Sequence, residues 1–391
     1  MAVTLEFEST GMPKEVSSCR DLKSALRRVK EGETIELTKG EYDCGSLTLS
    51  KKSEGRPIII KPKAADAGKV VIKNTTLTLS GEYGVVTGLI FDNSMVQVVK
   101  GNFNRISRNV FRNGADVEAA IRIQQGSSNR VDHNEIVDWK KRGIRVIPKG
   151  DKDGGKDDTS TQNNRIDHNY LHQFVNNSSG NGKEGIQLGK GMNNTFVDLM
   201  TVVEYNLFDE VTNDDEMLSI KSSGNMIRFN TFINSNVTMQ VRHGVNNQFI
   251  SNTIKGGRGM VIYGENNEAI GNILDKTPII ARNGDTTQDK AMVKLKSGKY
   301  GHPAAHNTLL AANQVIDSFI GIGVRIPGGS AYRGKPAENT RLEGNLPESI
   351  QDRAEKGEQT GTKEQDSYDG EVSPAVELAA ADVGSNAPET A

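Results

Sequence analysis

Two cysteines, Cys19 and Cys44, are all that 391 residues contain, so neither a disulfide framework nor a CxxC-type zinc site is possible. A single Cys19–Cys44 bridge and two small buried thiols remain as alternatives, the second being the simpler. Aromatic residues are scarce at 5%, with one tryptophan, Trp139, which argues against a large core of packed helices. No apolar run approaches the ~18 residues of a membrane span, so no membrane insertion is expected. The N-terminus, MAVTLEFEST, lacks a basic segment followed by an apolar one. No secretory signal is therefore expected in the sequence as it stands, although a mature secreted or periplasmic protein would read the same way. A P-loop and a Ser/His/Asp arrangement are also missing, and no nucleic-acid partner is expected.

Glycine, by contrast, is abundant at 41 residues, and asparagine is frequent. That balance suits short strands joined by tight turns. The net charge of −2 conceals an asymmetry: residues 347–391 carry eleven Asp/Glu against three Lys/Arg, leaving the first 346 residues at +6. A basic body is compatible with a polyanionic ligand, and an acidic tail with solubility alone. We read residues 1–346 as one domain and 347–391 as an acidic, poorly ordered tail.

Within SCRDLKSALRRVKEG (18–32), Leu22, Ala25, Leu26 and Val29 fall at helical spacing, which predicts one amphipathic helix stopped by Gly32. Strand-length apolar bursts follow, each closed by Gly, Asn, Pro or Ser. From residue 104 a repeat emerges: NRISRNVFRN, NRVDHNEIVD, NRIDHNYLHQ, TVVEYNLFDE, NMIRFNTFIN, NQFISNTIKG and NEAIGNILDK. Its inner asparagine recurs at 109, 134, 169, 206, 230, 252 and 272, with Asn313 and Asn345 as two further copies. Successive spacings of 25, 35, 37, 24, 22 and 20 predict an all-β fold, a parallel β-solenoid of two or three short strands per coil. Stacked asparagines at the left-handed coil corner would form a structural ladder, with Ile106, Val110 and Phe111 pointing into the core. The two long spacings imply polar insertions, at 148–164 and 175–194, which wall a groove.

The charged residues of 213–244, NDDEMLSIKSSGNMIRFNTFINSNVTMQVRHG, are the candidate site. Asp214 and Glu216 are two apart and share a face of a regular strand. Lys221 and Arg242 are 21 residues apart, about one coil, which places them roughly 5 Å from each other along a sheet. Two carboxylates on one face call for a cation between them, and Ca2+ prefers such hard oxygens. Asn181 of NGKEG supplies a third ligand, with Glu184 the alternative. A cation, a lysine and an arginine suit removal of the C5 proton of a uronic acid, followed by loss of O4. On spacing alone, however, such a set is more often a solvated ladder of ion pairs.

The run DEMLSIKSSGNMIRFNTFINSNVTMQVRHG resembles the signature of polysaccharide lyase family 6, which contains chondroitinase B and calcium-dependent alginate lyases. Lys221-Ser222, Asn225, Asn230-Thr231-Phe232 and Arg242-His243-Gly244 carry the match, over roughly residues 15–345. The resemblance implies a right-handed parallel β-helix with a short N-terminal capping helix. It also implies a lyase cleaving an acidic polysaccharide, alginate-like or glycosaminoglycan-like, with Lys221 as base, Arg242 as acid and Asp214, Glu216 and Asn181 holding Ca2+. Asp214 stands where the family usually has Glu. Gln187 stands where alginate-cleaving members usually have Arg, and Met260 and Val261 occupy a region where a second basic residue is common. A mixed polymer, uronate alternating with neutral or sulfated sugar, is therefore open. Further substrate contacts are sought at Gln187, His243, Tyr263, His302 and Arg325, with Lys294 and Lys296 also at the groove wall. His243 points away from Arg242's side unless a bulge intervenes. Trp139 either stacks on a sugar or covers a core edge. A C5-epimerase and a non-catalytic carbohydrate-binding solenoid of the viral-adhesin type are the rival readings.

Overall fold

In the computed structural model, residues 12–149, 158–174, 182–191, 194–212, 214–287, 301–324, 335–352, 363–365 and 367–386 are described. They form a right-handed parallel β-helix in which every strand pairs with its counterpart one coil on. One face is a sheet of fourteen strands running from Lys14–Val16 to Lys363–Gln365. Each remaining coil turns through a short strand such as Val110–Arg112 and then a longer one such as Ala119–Gln124. The longer strands stack in parallel as Ala119–Gln124, Arg142–Ile147, Ile186–Leu188, Glu216–Lys221, Thr238–His243, Gly259–Ile262 and Ile279–Ala281. Side chains alternate along them, so Ile121, Ile144, Ile186, Leu218, Met239 and Met260 fill the core and their neighbours face outward.

The helix spans Cys19–Arg28, capped by the Ser18 hydroxyl, which accepts from the Asp21 N–H at 3.2 Å. Leu22, Ala25 and Leu26 close the open end of the core, as the apolar spacing required. The helix ends before Gly32, with Val29 buried just beyond it. Cys19 and Cys44 are bonded, so the simpler reading of two free thiols is corrected: the helix and the second coil bring them to a Cα separation of 5.3 Å.

The inner asparagines form an unbroken buried ladder from Asn109 to Asn345. In each, the side-chain Oδ1 accepts from the N–H and Nδ2 of the asparagine one coil earlier, at 2.9–3.1 Å. The left-handed residue is not the asparagine but the one before it: Arg108, His133, His168, Tyr205, Phe229 and Ser251 all have φ between 53° and 55°. The outer asparagines, Asn104, Asn129 and Asn164, form a second ladder that Asn225, Asn247 and Asn267 resume. Ile106 and Phe111 are in the core, but Val110 faces outward because it is one residue out of phase with Phe111. Trp139 is fully buried against Phe111, which makes it a core residue.

Part of the acidic segment read as a tail is described. Residues 346–352 pair with 314–322, and 363–365 add the last strand. Residues 367–386 then run back along the solenoid: Val376 O accepts from Thr253 and Thr231, Leu378 and Val383 pack on Leu207, and the Gly384 N–H donates to His168 O at 2.9 Å. Leucine and valine on the tail find apolar residues on the coils, which net charge alone does not reveal.

Candidate active site

Lys221 is the last residue of Glu216–Lys221 and is 6% exposed. Its Nζ donates to Glu184 Oε1 at 3.1 Å. Burial pushes the ammonium below the usual lysine value, although Glu184 and Glu216 pull the other way. Glu184 also accepts from Gln187 Nε2 at 2.8 Å, and Arg142 Nε stands 3.0 Å from its second oxygen. Burial opposes its ionisation, yet Lys221 and Arg142 outweigh that and hold the carboxyl below its usual range.

Lys221 and Arg242 lie on adjacent coils, but not directly opposite each other. The register slips after Ile220–Val241, so Lys221 faces His243 and Arg242 occupies the extra position of a bulge. The bulge sends Arg242 to Glu216, with Nη1 3.2 Å from Oε1, and to His302, whose Nε2 accepts from Arg242 Nε at 3.2 Å. It also brings His243 to the same group: its ring stacks on His302 at 5.1 Å, and Tyr263 lies tilted against the His302 ring at 4.9 Å. The His302 backbone N–H is held by Asp285 at 3.0 Å.

Glu216, 5% exposed, has its carboxyl pushed up by burial, against the pull of Arg242 and Lys221. Its buried Oε2 completes no well-formed hydrogen bond, although the Ser219 hydroxyl is close enough to favour its charge. Asp214 precedes the strand rather than lying on it, so the shared strand face expected for Asp214 and Glu216 is corrected. Its Oδ2 accepts from the N–H groups of Gly182 and Lys183, both at 2.8 Å, which pins the loop that Asn181 precedes. Burial and the Glu184 charge push its carboxyl up. Glu184 thus lies in the field of both Asp214 and Glu216, while Lys221, Arg142, Arg242 and backbone amides hold most of the oxygens of the three. Among the described residues no three His, Cys, Asp or Glu side chains form a metal-binding group as they stand.

Asn181, Arg325, Lys294 and Lys296 lie outside the described residues. Gln187, 1% exposed, is taken up by Glu184 and by Arg145, whose Nε donates to its Oε1 at 2.6 Å. Tyr263 is 1% exposed within a small apolar cluster of Val261, Ile280 and Val324, so it supports His302 rather than walling the groove. Arg142, Arg145, Arg122 and Glu118 were not singled out in the sequence. The signal that finds Arg122 and Arg145 is the coil register, which aligns Arg122, Arg145, Gln187, Ser219 and Gln240 in one outward column; Arg142 and Glu118 lie outside that column.

No curated protein matches the chain. Among solved structures it is similar to the family 6 alginate lyase AlyGC (22% identity, TM-score 0.73, covering 91% of this chain and 52% of that one), so it spans about half of that protein. It is similar to the family 6 polysaccharide lyase Pedsa3628 from Pseudopedobacter saltans (18%, TM-score 0.74, 96% and 100%). A family 6 alginate lyase in complex with a trisaccharide matches as well (19%, TM-score 0.73, 95% and 90%). At these identities the likeness is one of fold. The profile of the chondroitinase B family, in contrast, matches residues 16–351, and the chain belongs to that family, polysaccharide lyase family 6.

Proposed function

We propose that the protein is a polysaccharide lyase that cleaves a uronate-containing acidic polysaccharide by β-elimination. The observation that carries this reading is Lys221: a buried amine whose proton affinity is reduced, one coil from a bulged arginine. Reduced affinity raises the share of neutral amine able to take the C5 proton. The C5–H electron pair then forms the C4–C5 double bond, and the C4–O4 bond breaks. Arg242, held by Glu216 and His302, donates a hydrogen bond to the departing O4, which takes its proton from water. Arginine serves here as a fixed donor, since its guanidinium does not give up a proton.

What supports a hard cation here is Glu216, a buried carboxylate whose Oε2 completes no hydrogen bond and which lies in the field of Glu184, itself acting on Asp214. Asp214, Glu216 and Asn181 would hold Ca2+, which when bound neutralises the sugar carboxylate and stabilises negative charge developing at C5. The Cys19–Cys44 bond supports a secreted or periplasmic location.

The test is incubation with alginate, dermatan sulfate and bacterial exopolysaccharides, with and without a chelator. Ultraviolet absorbance of an unsaturated product is expected from the wild type and not from Lys221→Ala. If the wild type inverts C5 without forming that product, the protein is an epimerase. If it binds polymer and alters none, it is a binding solenoid.

A further inference from the structure

An unbroken chain of side-chain bonds leads away from Lys221 toward the N-terminal coils. Lys221 and Gln187 meet on Glu184, and Arg145 bonds Gln187. Arg145 and Arg122 then share one carboxylate, Glu118, with Arg122 Nη1 2.7 Å from it. Arg122 continues to Gln97, whose Nε2 donates to Thr78 at 2.8 Å. All but Glu118 and Glu184 sit on strands of the face that carries Lys221.

Two guanidinium groups against one carboxylate leave a positive excess. Arg122 also keeps a buried Nε–H without a partner. Glu118 is the most exposed of the three, with 36% of its side chain open, against 21% for Arg122 and 7% for Arg145. It is therefore the group an incoming anion displaces most easily. On the other side of Lys221 the same column turns apolar, through Val261 and Ile280, both fully buried. Among the described residues, the guanidinium groups of this column all lie on the N-terminal side.

We propose that Arg122 and Arg145 form a subsite for an oxyanion of the polymer, a carboxylate or a sulfate, and that Glu118 occupies it when substrate is absent. This rests on the lyase reading for the polymer's identity, but not for the binding itself. Coils stack ~4.8 Å apart, about the length of one sugar along a chain. Arg145 and Arg122, two and three coils from Glu216–Lys221, lie ~10 and ~14 Å from it. The subsite accordingly reads an acidic group two to three sugars from the bond that breaks, toward the N-terminal coils.

Arg122→Gln and Glu118→Gln test it, each checked for folding by circular dichroism and thermal melting. Oligosaccharides of increasing length separate the outcomes. For Arg122→Gln the ratio of kcat/KM on long chains to that on short ones is expected to fall about ten- to hundredfold, the value of a charge-assisted hydrogen bond. Glu118→Gln, which removes the internal competitor, is expected to lower KM on long chains. Equal effects at all lengths, or a higher KM for Glu118→Gln, overturn the proposal. Binding to Lys221→Ala and to Lys221→Ala/Arg122→Gln, followed by calorimetry with alginate and with sulfated and desulfated dermatan, needs no turnover. A loss on alginate assigns a carboxylate, and a loss confined to the sulfated polymer assigns a sulfate. Equal binding by the two variants on every polymer overturns the subsite even where cleavage is established. Absent cleavage with unequal binding overturns the lyase reading alone.

Discussion

Glu184→Gln is the most informative single change, because it removes a charge while keeping the shape and hydrogen-bonding reach of the side chain. Glu184 accepts from Lys221 at 3.1 Å and so favours the charged amine, in opposition to burial. At that distance the bare Coulomb attraction is an upper bound of ~5 kcal/mol for an effective dielectric constant of ~20. A hydrogen bond to a charged group nets less, about 1.5–3 kcal/mol. Without the Glu184 carboxylate, burial and Arg242 still disfavour a proton on Lys221, and Glu216 alone remains to favour it. The sign is therefore fixed: Lys221 becomes a weaker base and is neutral at lower pH. The acid limb of kcat/KM, which reports the free enzyme's base, is expected to move to lower pH, by about ten- to a hundredfold in proton concentration. Initial rates of unsaturated-product formation across a pH series measure it, with circular dichroism confirming the fold. A limb that stays in place, or moves to higher pH, refutes the assignment of Lys221 as base.

Other consequences are accessible to simpler assays. Asn230→Ala removes a fully buried rung bonded to Asn206, Asn252, Val203 O and Arg228 O. It is expected to cost about 3–5 kcal/mol in urea unfolding, from several stranded partners at about 1 kcal/mol or more each. Replacing Cys19 and Cys44 by serine opens a loop of 25 residues and should cost ~3 kcal/mol, read as a lower urea midpoint that reductant produces in the wild type as well. Chelation is expected to suppress activity and calcium to restore it, with Glu216→Gln needing more calcium and showing a smaller calcium-induced rise in Tm. Asp132 is held far below the usual aspartate range: burial works against ionisation, but Arg105, His133 and Arg130 prevail. Its contribution to stability is present above the usual aspartate range and lost as pH falls through and below it, so Asp132→Asn should flatten the acid side of a stability–pH curve.

The sequence on its own determined the coil. A repeat anchored by asparagine and spaced at 20–25 residues has few physical solutions, because each copy must stack on the next to bury its apolar residues. The ladder from Asn109 to Asn345 follows directly from that. The pairing of coils also placed Lys221 near Arg242. What it could not give was the bulge: a regular period of two puts Arg242 and His243 on opposite sides, and only the slipped register brings both to His302. Position on a strand was equally hidden for Asp214, which two backbone amides of a distant loop hold before the strand begins. Glu184 is separated from Arg142 and Arg145 by an insertion between coils, so no fixed spacing joins it to them, and Glu118 precedes the strand whose register aligns Arg122 with Arg145. The tertiary structure decided those contacts, because they depend on which side chains face outward at the same height on neighbouring coils.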